Sequence, residues 1–131
     1  MAGALENLER LYRDWSRGDF KASADVLHPD IEWRQAAEAV EPGMRQGRAE
    51  VSQMTRGVFE ALQDFRVEPV EFMQVGDQVV VVARLRGISR VTGLQLALTA
   101  AQLWTFAGGK AVRVEWYPDA AAALAAAEGG S

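Results

Sequence analysis

The spacing of apolar residues predicts helices in the first half of the chain. From Leu5 to Trp15, apolar side chains recur three and four positions apart, which is the period of an amphipathic helix. A second stripe of this kind runs through residues 47–63. Between the two, Asp19 is a suitable N-cap for a short helix that ends before Pro29, because proline disfavours helical geometry in the residue before it.

Alternating and continuous apolar runs predict strands in the rest of the chain. Residues 31–35 alternate and predict a first strand, and residues 36–46, which contain Pro42-Gly43, predict a covering loop. Three or four further strands follow without a helix between them, within residues 65–75, 78–89, 93–106 and 111–117. An alanine-rich segment after Pro118-Asp119 predicts a short last helix. Helices followed by a run of antiparallel strands indicate an α+β fold.

Residues 98–117 predict a long hairpin, and the length of its turn decides which side chains share a face. A two-residue turn at Gly108-Gly109 sets Gln102 beside Glu115, which then becomes a candidate general base. A three-residue loop at 107–109 instead surrounds the Gln102 amide with five large apolar side chains: Trp104, Phe106, Val112, Val114 and Trp116. We favour the second register, because such a grouping is typical of a pocket wall.

Composition narrows the class of protein. The 131 residues are 49% hydrophobic and 24% charged, which fits one globular domain over residues 1–131 with about 5–127 structured. A net charge of −4 without a basic run argues against nucleic-acid binding. Without cysteine, and with His28 as the only histidine, the chain offers no thiol chemistry and no multi-histidine metal centre within one subunit. We expect no cofactor, no membrane span, and a cytoplasmic protein.

Several short strings, in their order along the chain, resemble one family. They are G-D-F at 18–20, L-H-P-D-I-E-W at 27–33, F-R-V-E-P-V-E-F at 65–72 and G-K-A-V-R-V-E-W-Y-P-D at 109–119. Together they resemble the SnoaL-like branch of the nuclear transport factor two-like superfamily, which includes ketosteroid isomerase-like and polyketide cyclase-like proteins. The resemblance implies a cone-shaped, curved antiparallel sheet wrapped around the N-terminal helices, with a central apolar pocket. It also implies a homodimer through the outer face of the sheet.

The implied dimer affects how the strand at 78–89 is interpreted. One of its faces, with Val79, Val81, Ala83 and Leu85, is wholly apolar, and the other carries Arg84 and Arg86. Burial of the apolar face against a partner subunit would place the arginines over the pocket mouth. The alternative is that the apolar face points inward and the arginines lie in solvent.

Enzymes in this superfamily use a buried carboxylate as general base and a second group as proton donor, and the resemblance locates both positions. The isomerase base corresponds to Gln35, its proton-donating aspartate to Gln102, and its helix-one tyrosine to Leu11. A glutamine donates and accepts hydrogen bonds but is not a base at neutral pH. We therefore do not expect ketosteroid isomerisation by the usual route.

Two functions remain open. One is a cofactor-independent cyclase, isomerase, dehydratase or hydrolase acting on an apolar ring or carbonyl compound, and the other is a non-catalytic binding protein with the same pocket. No catalytic residue is identified. In the enzyme, Gln35 and Gln102 would orient the substrate, Arg84 would attract an oxyanion or carboxylate, and the tryptophans would stack on the ring. The predicted ligand contacts are Trp15, Trp33, Gln35, Met54, Arg84, Gln102, Trp104, Val114 and Trp116.

Overall fold

A computed structural model describes residues 3–35 and 43–129 of the chain. Within these ranges there are three α-helices and six strands, and none of the helices is long and apolar enough to cross a membrane. In chain order they are α1 Ala4–Ser16, β1 Leu27–Gln35, β2 Gly43–Gln46, α2 Gly47–Ala61, β3 Leu62–Val75, β4 Gln78–Ser89, β5 Gln95–Ala107, β6 Lys110–Tyr117 and α3 Ala120–Gly129.

The six strands form one sheet in the order β2-β1-β6-β5-β4-β3, which confirms the α+β class. Neighbouring strands are antiparallel except β1 and β6, which run parallel, so the sheet is mixed rather than wholly antiparallel. The parallel pair joins the first strand in sequence to the last. A parallel contact needs a long connection, and here the rest of the sheet and α2 provide it.

The core lies between α1 and the inner face of the sheet. Leu8, Leu11, Tyr12 and Trp15, which are the predicted helical stripe, are all buried. The hydroxyl of Tyr12 accepts a hydrogen bond of 2.9 Å from Nε1 of Trp104 on β5. Because both side chains are fully enclosed, this bond ties the middle of α1 to the middle of the sheet.

The apolar face of β4 points into the core and not outward, where a partner subunit would have to cover it. Val79, Val81 and Ala83 are fully buried in the core with α1. Arg84 and Arg86 point the other way and are exposed. The prediction that the arginines lie over the pocket was therefore wrong. The alternative, solvated arginines, is confirmed, because side chains alternate along a strand and the apolar set is needed inside.

The last helix, α3, packs on the outer face of the sheet. Ala123 and Ala127 are buried there against Val80, Ala101 and Leu103. Alanine side chains are short, so the helix lies close to the strands it covers. The homodimer through the outer sheet face remains a prediction.

Three predicted local features differ from the structure. The short helix after Asp19 is only a 3-10 turn at Ala24–Val26, and the Asp19 carboxylate instead accepts hydrogen bonds from the backbone N–H groups of the next turn. The strand predicted to begin at Ile31 begins at Leu27 and includes Pro29. Of the predicted loop at 36–46, residues 36–42 lie outside the described residues and the remainder forms β2.

The β5–β6 hairpin combines features of both predicted registers. Its turn has two residues, Gly108 and Gly109, both with positive φ (59° and 82°), so the three-residue loop was wrong. Between the Thr105–Arg113 and Phe106–Ala111 pairs, however, the register shifts by one residue. Beyond this bulge Trp104 lies opposite Val114 and Gln102 opposite Trp116, as the favoured register predicted.

Removal of the Tyr12 hydroxyl tests the tie between α1 and the sheet. We expect Tyr12→Phe to lower the free energy of unfolding by about 1–3 kcal/mol, because it leaves the buried Trp104 N–H without an acceptor. Urea unfolding of Tyr12→Phe, Trp104→Phe and the double variant gives the coupling between the two side chains. Additive losses in the double variant would contradict a direct interaction.

Candidate functional site

A cavity of about 600 Å³ lies between α1, α2 and the inner face of the sheet. This volume falls in the range of roughly 300–1,000 Å³ that is typical of small-molecule sites. The wall is mostly aliphatic and aromatic. Its aromatic side chains come from four separate parts of the chain and include Trp15, Phe20, Trp33, Phe65 and Trp116.

The corner that follows α1 places Phe20 in this wall. The carboxylate of Asp14, which is buried at the end of α1, accepts hydrogen bonds from Ser23 and Arg17. These bonds hold the pKa of Asp14 below its usual value, and the bond from Ser23 contributes most to the shift. The corner is thereby closed, and the ring of Phe20 stacks between Trp15 and Phe65 at centroid distances of 5.7 and 5.6 Å.

Three tryptophans meet at the inner end of the wall. Trp15, Trp33 and Trp104 are in mutual contact, with centroid distances of 5.8–6.0 Å. Trp15 and Trp33 line the cavity, whereas Trp104 lies behind them with its N–H bonded to Tyr12. The fourth, Trp116, lines the cavity two residue pairs further along the hairpin, on the same face as Val114.

Three polar side chains occupy one row across the inner face, which we call the polar row: Gln35 on β1, Trp116 on β6 and Gln102 on β5. Gln102 is directly opposite Trp116 in the antiparallel ladder. On the other side Arg34 pairs with Glu115, which places the next residues, Gln35 and Trp116, side by side. At a strand spacing of about 4.8 Å, the row spans about 10 Å.

Within the part of the chain that the structure describes, the three side chains of the polar row form no hydrogen bonds with one another. Nε1 of Trp33 donates to Oε1 of Gln35 at 3.0 Å. In contrast, Nε1 of Trp116 and both amide atoms of Gln102 are buried without a hydrogen-bond partner in the described chain. The fourth such atom in the described residues, Nε of Arg113, lies away from the cavity. A group of this kind that stayed unpaired would cost about 1–3 kcal/mol. Such groups beside a cavity are candidates for contact with water or a ligand.

The structure separates the predicted ligand contacts into two groups. Five of them line the cavity: Trp15, Trp33, Gln35, Met54 and Trp116. The other four are not among its lining residues. Gln102, Trp104 and Val114 are fully buried in the sheet beside the wall, and Arg84 is exposed on the opposite face.

The prediction missed several lining residues. Phe20, Thr55 and Phe65 line the cavity, as do Leu96 and Leu98 at the start of β5. The last two were accessible from sequence, because they continue the alternation that includes Gln102 and Trp104. The position of Phe20 was not, since it depends on the Asp14 corner.

The cavity wall, as far as the structure describes it, carries no acidic or basic side chain other than a tyrosine. That residue, Tyr117, packs its ring against the outer-face cluster under α3, where burial and the neighbouring Glu115 raise its pKa. Glu115 itself pairs with Leu103 on the outer face, 3.6 Å from Arg113, so the hairpin register removes it as the candidate base. No group of three or more potential metal ligands occurs in the described residues.

A mixed sheet folded around helices, with a deep apolar cavity, defines an α+β cone of the NTF2-like class. Within this class the chain belongs to the SnoaL-like domain family, whose model matches residues 8–114. The resemblance of the short sequence strings is thereby confirmed.

Solved structures agree with this assignment. An NTF2-like protein of unknown function from Burkholderia pseudomallei is 26% identical, with 95% of this chain and 96% of that one covered and a TM-score of 0.80. An NTF2-like protein from Burkholderia thailandensis is 25% identical, with 95% and 98% covered and a TM-score of 0.83. TerC, crystallised with polyporic acid, is 26% identical, with 97% and 99% covered and a TM-score of 0.78. The comparison with curated proteins gives no match.

The Asp14 corner is expected to be sensitive to acid. Because the folded-state pKa is lowered, its stabilisation is complete above the unfolded value of 3.8 and is lost as the pH falls through the folded value. Asp14→Asn should therefore cost about 1–3 kcal/mol near neutrality and progressively less below about pH 4. Urea unfolding across this pH range measures the difference.

A matched control is Asp25→Asn, which breaks an exposed ion pair of 2.8 Å with Arg10. It should cost less than about 1 kcal/mol. If Asp14→Asn lowers the free energy of unfolding by the same amount at every pH, the carboxylate charge does not hold the corner.

Proposed function

We propose that this chain is a small-molecule binding protein whose cavity takes a flat, uncharged, largely apolar compound. The observation that carries the proposal is the chemistry of the wall: aromatic rings around about 600 Å³, with no acid or base other than Tyr117 on its described part. A charged ligand would lose its hydration without gaining an opposite charge there. A flat ring would instead contact Trp15, Phe20 and Trp33.

Two further observations support the proposal. Apolar burial is worth about 25 cal/mol per Å², so a ring system that buries roughly 200 Å² gains about 5 kcal/mol before the cost of immobilisation. In addition, a structural relative of comparable length and 26% identity, TerC, has been co-crystallised with a small organic molecule, polyporic acid.

The alternative is a cofactor-independent cyclase, isomerase, dehydratase or hydrolase acting on an apolar ring or carbonyl compound. Such chemistry needs a proton donor and acceptor at the substrate. At the two positions that correspond to the acids of the related isomerases, this chain has Gln35 on the wall and Gln102 buried beside it, and this favours binding. Glu38 and Glu41, in the predicted covering loop, lie outside the described residues.

Filling the cavity tests the proposed site. Ala100 lines the cavity from β5, whereas Ala97 is exposed on the opposite face of the same strand. We expect Ala100→Phe to weaken binding of ring compounds at least about tenfold by occupying their space, and Ala97→Phe to leave it unchanged. Quenching of intrinsic fluorescence is a direct measure, because Trp15, Trp33 and Trp116 line the cavity.

Thr55→Phe, which enters the cavity from α2, replaces Ala100→Phe if that variant does not fold by circular dichroism. Equal binding to all folded variants would place the ligand elsewhere. Compounds that bind are then incubated with the protein and analysed by mass spectrometry. A product that forms with wild type and disappears with Ala100→Phe would establish the enzymatic alternative.

A further inference from the structure

The orientation of the Gln35 amide is fixed by its neighbour. An indole N–H only donates, so the Gln35 atom at 3.0 Å from Nε1 of Trp33 must be the carbonyl oxygen. The NH₂ group of Gln35 is therefore on the other side of the amide. It has no hydrogen-bond partner within residues 3–35 and 43–129, and Gln35 lines the cavity.

The next side chain in the polar row also has an N–H donor without an acceptor. Trp116 lies beside Gln35 on the adjacent strand, and its indole N–H, covered from solvent, has no acceptor in the described chain. Two neighbouring side chains thus carry N–H groups without an acceptor in the described chain. Beyond them, the amide of Gln102 is also unpaired. The N–H of Trp116 and the Gln102 amide are enclosed, whereas Gln35 lines the cavity, so a ligand there meets the NH₂ group of Gln35.

We propose that Gln35 is the specificity-determining contact of the cavity and that it selects a neutral ring ketone over the corresponding hydrocarbon or carboxylate. The ketone oxygen accepts from the Gln35 NH₂ group, whose orientation is fixed by the bond from Trp33 to the amide oxygen. A carboxylate finds no cation on the described wall. This inference rests on the proposed function, since it describes recognition in the same cavity.

The test uses four compounds on one bicyclic frame: tetralin, 1-tetralone, 1-tetralol and tetralin-1-carboxylate. Equilibrium dialysis gives their affinities without relying on fluorescence. In wild type we expect 1-tetralone to bind more tightly than tetralin, and the carboxylate to bind most weakly. Gln35→Met removes the donor at similar size. It should lower the ratio of tetralone to tetralin affinity about fivefold to tenfold, with tetralin itself nearly unchanged.

Gln35→Glu should shift the relative affinity from the ketone toward the alcohol. Its carboxylate still accepts from Trp33 but presents a second acceptor to the cavity, so 1-tetralol should gain affinity relative to 1-tetralone. The control is Gln53→Met, which makes the same change as Gln35→Met at an exposed glutamine of α2 that does not line the cavity. It should leave all ratios unchanged.

The outcomes separate this inference from the proposed function. If none of the four compounds binds wild type, the proposed cavity function fails. If tetralin and tetralone bind, compete with each other and keep their affinity ratio in Gln35→Met, then Gln35 does not select the ketone and only the present inference is overturned. A preserved ketone-to-alcohol ratio in Gln35→Glu would overturn it independently.

Discussion

One extra residue in β6 decides what the cavity wall is made of. The two-glycine turn alone would direct Arg113 and Glu115 inward beside Gln102. The bulge between the Thr105–Arg113 and Phe106–Ala111 pairs reverses the direction of every later side chain, so Trp116 lines the cavity and the charged pair lies outside. A neutral, aromatic interior follows from this local irregularity, and so does the loss of the one carboxylate that the hairpin could have supplied.

Much of the fold could be predicted because the local patterns agree with it. The stripe from Leu8 to Trp15 and the continuous apolar strands have only one stable arrangement, with their apolar faces together. The error at β4 came from giving an implied dimer more weight than the alternation of side chains. The early start of β1 was hidden by Pro29. Proline is tolerated there because the ladder with β6 is interrupted between Leu27 and Glu32, where the missing N–H is not required.

The site was predictable in part, for a related reason. Residues that belong to periodic strands and helices, such as Trp33 and Met54, could be assigned to the interior from spacing alone. Phe20 could not, since a hydrogen-bonded corner and not a period determines its position. The role of Gln35 also required the structure. Sequence shows that an amide replaces an acid, but only the contact with Trp33 shows which end of the amide meets the cavity.

A cavity of about 600 Å³ also affects the balance between folded and unfolded protein when a ligand occupies it. Domains of this size are stable by only about 5–15 kcal/mol. A ligand present at a hundred times its dissociation constant would add about 2.7 kcal/mol to that margin. If the cavity takes a ligand as proposed, the supply of that ligand would set how much of the chain escapes proteolysis.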